Sequence, residues 1–214
     1  MEHAAAPLPA TAGARQKLLA SALSLIRERG YSSTSVDELC AQAGVTKGAF
    51  FHHFKSKGAL GIAAANHWSQ LTRSFFEAAP YHQHGDPLAR VLGYLDFRKA
   101  LLKGAIPEFT CLVGTMVQEI YDTNPDIRSA CDASISGHAA TLEPDIAAAM
   151  KRYRIRAPWT AASLALHTQA VLQGAFILAK AKGDAAVAAA SIDHLRRYIE
   201  LLFQTTKRKR TETS

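Results

Sequence analysis

Residues 35–54 constrain this chain more than any other stretch. Ser35-Val36-Asp37-Glu38 is a capping box, in which the serine side chain takes the backbone N–H of Glu38 while the glutamate reaches back. The helix it starts would bury Val36, Leu39, Cys40 and Ala43, and Gly44 ends it after about two turns. Val45 then anchors the turn, and Thr46 caps a second short helix over residues 47–54. Ahead of this pair, Leu18, Leu19, Ala22, Leu25 and Ile26 fall on one face of a helix from Arg15 to Arg29. Gly30 closes it behind Arg27 and Arg29, which complement the helix dipole. Ser56 caps a further helix through Leu60 and Ile62 toward Phe76. A longer helix bracing two short ones across a tight glycine turn is the layout of a helix-turn-helix, whose second helix enters the DNA major groove.

The rest of the chain supports an all-α fold. Of its 214 residues 48% are hydrophobic, and alanine and leucine outweigh valine and isoleucine, which favours helices. Longer segments follow one another between Pro80 to Pro87, Pro107, Asn124-Pro125, Pro144, Pro158 and Gly183-Asp184, with no strand-like alternation. The expected organisation is a disordered N-terminus over 1–12 and a three-helix reader over 13–60, with its connecting helix reaching about residue 76. A larger effector-binding and dimerisation bundle over 77–206 and a basic disordered tail over 207–214 follow, giving about nine helices in all. No stretch of eighteen residues is uninterruptedly apolar, and no basic leader precedes an apolar run, so the expected setting is the cytoplasm, without membrane contact. Cys40, Cys111 and Cys131 form no CxxC, which fits a reducing compartment. His82, His84 and Asp86 have metal-ligand types but sit in a turn-rich loop without a distant fourth ligand, so neither metal nor cofactor is expected.

The charge of +7 is compatible with a polyanionic partner, and its location matters more than its size. Between Arg15 and Lys57 seven lysines and arginines stand against three acids. Lys47, Lys55 and Lys57 bracket the second short helix, where its ends would meet phosphates. Taken alone, such charges are more often a solvated face; the helix-turn-helix spacing reverses that balance. The helix itself, Lys47-Gly48-Ala49-Phe50-Phe51-His52-His53-Phe54, carries three aromatic rings and two imidazoles. Phe50 and Phe54, four apart, should face the core, which turns Lys47, Gly48, Phe51 and His52 outward. Gly48 would let the helix N-terminus approach the DNA backbone closely.

The run from Leu39 through Phe54, followed by Ser56-Lys57 and Leu60, resembles the signature of the TetR/AcrR family of transcriptional regulators. The resemblance covers roughly residues 12–72. It implies an Ω-like homodimer of all-helical subunits, with three N-terminal helices on a double-stranded operator and a ligand-binding bundle behind. It further implies release from the operator when a small molecule binds. The residues expected at the DNA are Ser35, Thr46, Lys47, Gly48, Phe51, His52, His53, Lys55 and Lys57. Two positions depart from the family pattern: Phe51 stands where tyrosine is usual, removing a hydroxyl that could bond a phosphate, and Gly58 stands where glutamate is usual.

Farther along, Leu164, Val171, Gly174 and Leu178 share a face with small residues, and Ile192, Leu195, Ile199 and Leu202 follow a heptad-like spacing. Spacing fits an intramolecular core and a dimer interface equally; the resemblance assigns these two helices to the dimer. Trp68, Tyr94, Phe97, Phe109, Cys111, Met116, His138 and His167 have the composition of an effector cavity, although each singly is more often plain core. Cys111 follows Pro107 near a helix start, where a thiolate is stabilised, so an alternative reading is an electrophile- or redox-sensing repressor acting through Cys111 with Lys180 as neighbour. The rivals of another class are an all-helical enzyme, for which no GxSxG, HExxH, GxGxxG or phosphate-loop motif is present, and a protein-binding adaptor, which leaves residues 47–54 unexplained.

Overall fold

The computed structural model describes residues 13–208, whose regular structure is all helical, with no strand among them. Eleven α-helices and one 3-10 turn are present among the described residues, two more helices than the sequence suggests. The surplus comes from short pieces that have no periodicity to read. In order they are α1 (Ala14–Arg29), α2 (Val36–Ala43), α3 (Lys47–His53), α4 (Lys57–Glu77), a 3-10 turn (Pro80–Gln83), α5 (Pro87–Ala100), α6 (Ile106–Phe109), α7 (Leu112–Ile120), α8 (Pro125–Ala140), α9 (Glu143–Arg152), α10 (Ala161–Lys182) and α11 (Ala185–Arg208).

The residues group into two compact units. The first joins residues up to 74 with Pro107–Ile135. Its core combines Leu18, Leu19 and Ile26 of α1, Leu39 of α2, Phe50 of α3 and Leu60 of α4 with Leu112, Met116 and Ile120 of α7 and Ile127 and Cys131 of α8. The helix-turn-helix is therefore not closed by residues 13–60, as the sequence suggests. Packing assigns 107–135 to the same body instead of to the bundle of 77–206, because Leu112, Met116 and Ile120 of α7 supply an apolar wall to the core that α1, α2 and α3 build.

The second unit holds Phe75–Ile106 and the residues from 136 onward. Here α5 packs against α9, and α10 lies along α11 and also meets α9. The buried set includes Tyr94 and Leu95 of α5, Ile146 and Ala149 of α9, Leu164 and Leu172 of α10, and Ile192, Leu195, Ile199 and Phe203 of α11. By length and composition α10 could cross a membrane. Part of that apolar character is buried within the protein, at Leu164, Ala165, Leu172, Ala175 and Phe176, while Leu166, Ile177 and Leu178 are exposed. Helix α11 continues through Arg208, so the basic tail begins inside a helix; the segments 1–12 and 209–214, expected to be disordered, lie outside the described residues.

Candidate nucleic-acid interface

The turn between α2 and α3 is built by local chemistry. Ser35 Oγ accepts the N–H of Glu38 at 3.2 Å, and Glu38 Oε2 accepts the N–H of Ser35 at 2.8 Å, closing the capping box. Those bonds from Ser35, aided by Arg29, hold the Glu38 carboxyl below its ordinary range. Gly44 takes the left-handed conformation (φ 61°), and its N–H and that of Val45 satisfy carbonyls at the end of α2. Thr46 then caps α3 through its Oγ1, which accepts the N–H of Ala49 at 3.1 Å.

The orientation of α3 follows from its rings. Phe50 is fully buried and Phe54 nearly so, their ring centroids 5.8 Å apart. This pins the helix and leaves Thr46, Lys47, Gly48, Phe51, His52, His53 and Lys55 exposed. Phe51 is 51% exposed, an unusual place for a phenylalanine, and it meets Phe50 edge-on at 5.2 Å. A Cβ on Gly48 would approach only Thr46 Oγ1, at 3.7 Å, so the surface there is open. Lys47 Nζ lies 2.8 Å from Asp37 Oδ1, and this hydrogen bond raises the lysine above its ordinary value. The pair is exposed and separable, so Lys47 can exchange that carboxylate for a phosphate. Lys57 differs from the others: half-buried, it lies 4.5 Å from the Tyr31 ring centroid and donates to the Ser32 carbonyl at 3.3 Å. Burial lowers it, against the opposing pull of Glu119 and Glu38. It ties α4 to the α1–α2 loop before it reaches any partner. Ser35, likewise, spends its hydroxyl on the cap.

That loop has a second tether. Glu119 of α7 accepts the N–H of Tyr31 at 3.0 Å and of Ser32 at 2.7 Å, one through each carboxylate oxygen. Gly30, at φ 92°, makes the approach possible, since a Cβ there would collide with Glu119 Oε1. Arg27 lies 5.2 Å from the Trp68 ring centroid and donates to the Glu108 carbonyl at 3.0 Å. Nothing local in the sequence marks Glu119 or Arg27 as positioning residues, because the backbone groups they bind, at Tyr31 and Ser32 and at Glu108, lie more than eighty residues away.

The eight residues expected to line an effector cavity do not gather in one place. Met116 is fully buried in the first unit's core, where Trp68 and Cys111 pack at its edge. Phe109 ends α6 in the same unit. Tyr94, Phe97 and His138 do come together, in the second unit. Tyr94 is fully buried, its hydroxyl hydrogen-bonded with His138 Nε2 at 3.0 Å and accepting from Gln169 Nε2 at 3.0 Å. Phe97 stacks with Phe75 at 5.3 Å and Phe76 meets His138 at 4.7 Å. Burial, with the nearby Arg98 charge, pushes His138 down to about 3, so it stays neutral. His167 instead lies on the outer face of α10, its ring 5.5 Å from Tyr198 of α11. Gln169, Phe76, Arg98 and Phe176 border the same cluster without being marked by the sequence pattern, except that Arg98 follows Tyr94 by one helical turn.

The expected dimer residues also need correction. Leu164, Ile192, Leu195 and Ile199 are at most 4% exposed and serve the second unit's own core, with Val171 and Leu202 packed against it. Gly174 is half-buried, and of that set Leu178 alone is exposed. The uncovered apolar face of the two helices consists of Leu166, Ile177 and Leu178 on α10 and Tyr198 and Leu201 on α11. A heptad spacing finds the wider apolar stripe of α11, which is the buried one.

Cys111 is the N-cap of α7, its Sγ accepting the N–H of Gly114 at 3.4 Å, within electrostatic reach of Arg27. Lys180 belongs to α10 of the second unit. Cys131 is fully buried, and its thiol is pushed up to about 12 by that burial and by Cys111. Among the described residues no three His, Cys, Asp or Glu side chains cluster as a metal set.

Comparison with known proteins reaches both units. Residues 18–64 match the model of the bacterial regulatory proteins, tetR family, and residues 87–195 that of the tetracyclin repressor-like C-terminal domain. The chain is similar to the HTH-type transcriptional repressor NemR of Escherichia coli K12, 32% identical over 139 residues, covering 60% of this chain and 64% of NemR. It is also 31% identical over 117 residues to the transcriptional regulator AcuR of Cereibacter sphaeroides, covering 55% of this chain and 53% of AcuR. The chain thus spans between about half and two thirds of the length of these relatives. Among solved structures, a TetR transcriptional regulator from Chloroflexus aurantiacus J-10-FL matches at a TM-score of 0.76 and 27% identity, over 87% of this chain and 94% of that one. Reduced NemR matches at 0.72 and 25%, over 86% and 96%. With its helix-turn-helix and its helical C-terminal region both matched, the chain belongs to the TetR family of bacterial regulatory proteins.

Proposed function

We propose that this protein is a homodimeric, sequence-specific DNA-binding transcriptional repressor, not an enzyme, that works in the cytoplasm and leaves its operator when a small molecule binds. The observation that carries this reading is α3: Phe50 fixes one face in the core, and the opposite face offers Thr46, Lys47, Gly48, Phe51, His52 and His53 to solvent around an open glycine. Lys47 and Lys55 supply phosphate contacts at the helix ends, and Thr46 and Gly48 let the helix N-terminus approach the backbone. Phe51 offers only apolar contact, which suits a thymine methyl, and His52 and His53 offer hydrogen bonds to base edges. The term repressor rests on similarity to NemR, which is named as one. Dimerisation is supported by the apolar face of Leu166, Ile177, Leu178, Tyr198 and Leu201, a two-helix surface that a second copy would cover with the same residues.

Footprinting on the DNA flanking the protein's own gene tests the reading. A protected pseudo-palindrome is expected, with binding weakened by salt. Lys47→Ala should weaken all sequences alike and reduce the salt slope by about one, whereas His52→Ala should change base preference. No protected site at any salt concentration would overturn it.

A second reading is favoured by the N–H of Gly114 on Cys111 Sγ: an electrophile-responsive repressor acting through that thiol. Cys111→Ser protein that still releases DNA under N-ethylmaleimide would exclude it.

A further inference from the structure

Arg98 is held in a way unlike its neighbours. On the same helix, Arg90 pairs with Asp145 and Lys99 with Asp193, each at 2.7 Å. Among the described residues no carboxylate lies within 4.0 Å of the Arg98 guanidinium. It rests among rings instead, its carbon 5.2 Å from the centroid of Phe76, 5.4 Å from Phe176 and 5.9 Å from Tyr94. Its Nε is buried without a hydrogen-bond partner, while the residue as a whole is only half-buried.

A guanidinium set against ring faces keeps its N–H groups in its own plane, at its edge. Two parallel N–H groups at one edge match the two oxygens of a carboxylate. The surroundings favour a single negative charge. His138 is neutral and within electrostatic reach of Arg98, and the Tyr94 hydroxyl is already committed to His138 and Gln169. A phosphate dianion would call for further cations, and Arg90 and Lys99 are engaged. Phe97, half-buried against Phe75, Phe76 and Tyr81, supplies an aromatic wall that suits an apolar body.

Resting on the repressor reading given above, we infer that the effector is a small organic carboxylate with an apolar or aromatic body. Its carboxylate pairs with Arg98, and its body lies against Phe76, Phe97 and Phe176. The Tyr94–His138–Gln169 chain positions the polar side of this site by fixing the tyrosine hydroxyl.

Isothermal titration of the full chain with benzoate and butanoate, each against its neutral amide, tests the assignment. At least one acid should bind saturably and about tenfold or more tighter than its amide. Arg98→Gln should abolish that preference, Arg98→Lys should keep part of it, and the exposed Lys103→Gln should leave it intact; a thermal melt of each variant verifies folding. Equal binding of acid and amide, no saturable binding of either acid, or an undiminished preference in folded Arg98→Gln would overturn the inference. Should Arg98→Gln unfold, a reduced preference in folded Arg98→Lys supports it and an unchanged preference overturns it. Operator binding by the same proteins without ligand separates the two claims: absent DNA binding defeats the repressor reading, and intact DNA binding without acid preference defeats only this one.

Discussion

Gly30 and Glu119 together show how one backbone position serves the reader. The glycine is at φ 92°, and the space a side chain would need is occupied by the carboxylate that holds the amides of Tyr31 and Ser32. Gly30→Ala should destabilise the protein by about 1–3 kcal/mol, from conformational strain and displacement of Glu119, read as a lower urea midpoint. The sequence shows the glycine as a helix stop and not its second purpose, because that purpose depends on a residue far along the chain. His138 carries a different residue-scale prediction. Its value falls from the ordinary 6.5 to about 3 on folding, so between those values the unfolded chain binds the proton that the folded chain refuses. Stability is full above about pH 6.5 and declines as the pH falls toward 3, with this group contributing a slope of about 1.4 kcal/mol per pH unit. His138→Phe should flatten that part of a stability-versus-pH curve measured by denaturant titration.

At the scale of elements, legibility tracks sequence distance. Helices α2 and α3 are readable almost to the residue, because capping box, left-handed glycine and N-cap threonine all act within four positions. Ser35→Ala should cost about 1 kcal/mol through the lost cap, visible in thermal melts without altering the exposed face of α3. The outward turn of Lys47, Phe51 and His52 was equally readable, since the burial of Phe50 and Phe54 decides it. Helix α7 was not. Nothing in Leu112–Ile120 announces that it closes the reader's core, as its partners Leu18 and Leu60 lie fifty or more residues earlier. The last two helices failed differently: α11 bears two apolar stripes, and periodicity reports the stronger without saying which partner covers it. The same limit scattered the expected cavity, since aromatic residues suit a core and a pocket alike and only contacts such as Tyr94 with His138 and Gln169 separate them.

For the whole molecule, each unit has its own core, and the uncovered face of α10 and α11 belongs to the second. Replacing Ile177 and Leu201 together by glutamate puts charge on that face without touching the buried Leu172 or Ile199. The doubly substituted protein should be monomeric by light scattering while the parent is dimeric, and its affinity for a palindromic site should fall by orders of magnitude while half-site affinity persists. The proposed pairing of two copies through that face would also have a consequence for dosage. When copies are scarce enough for subunits to separate, the paired form grows with the square of their number, so halving synthesis cuts the species that can span both half-sites about fourfold. The gene under control would then respond to the regulator's abundance as a threshold instead of a proportion, and the strength of that pairing would set where the threshold falls.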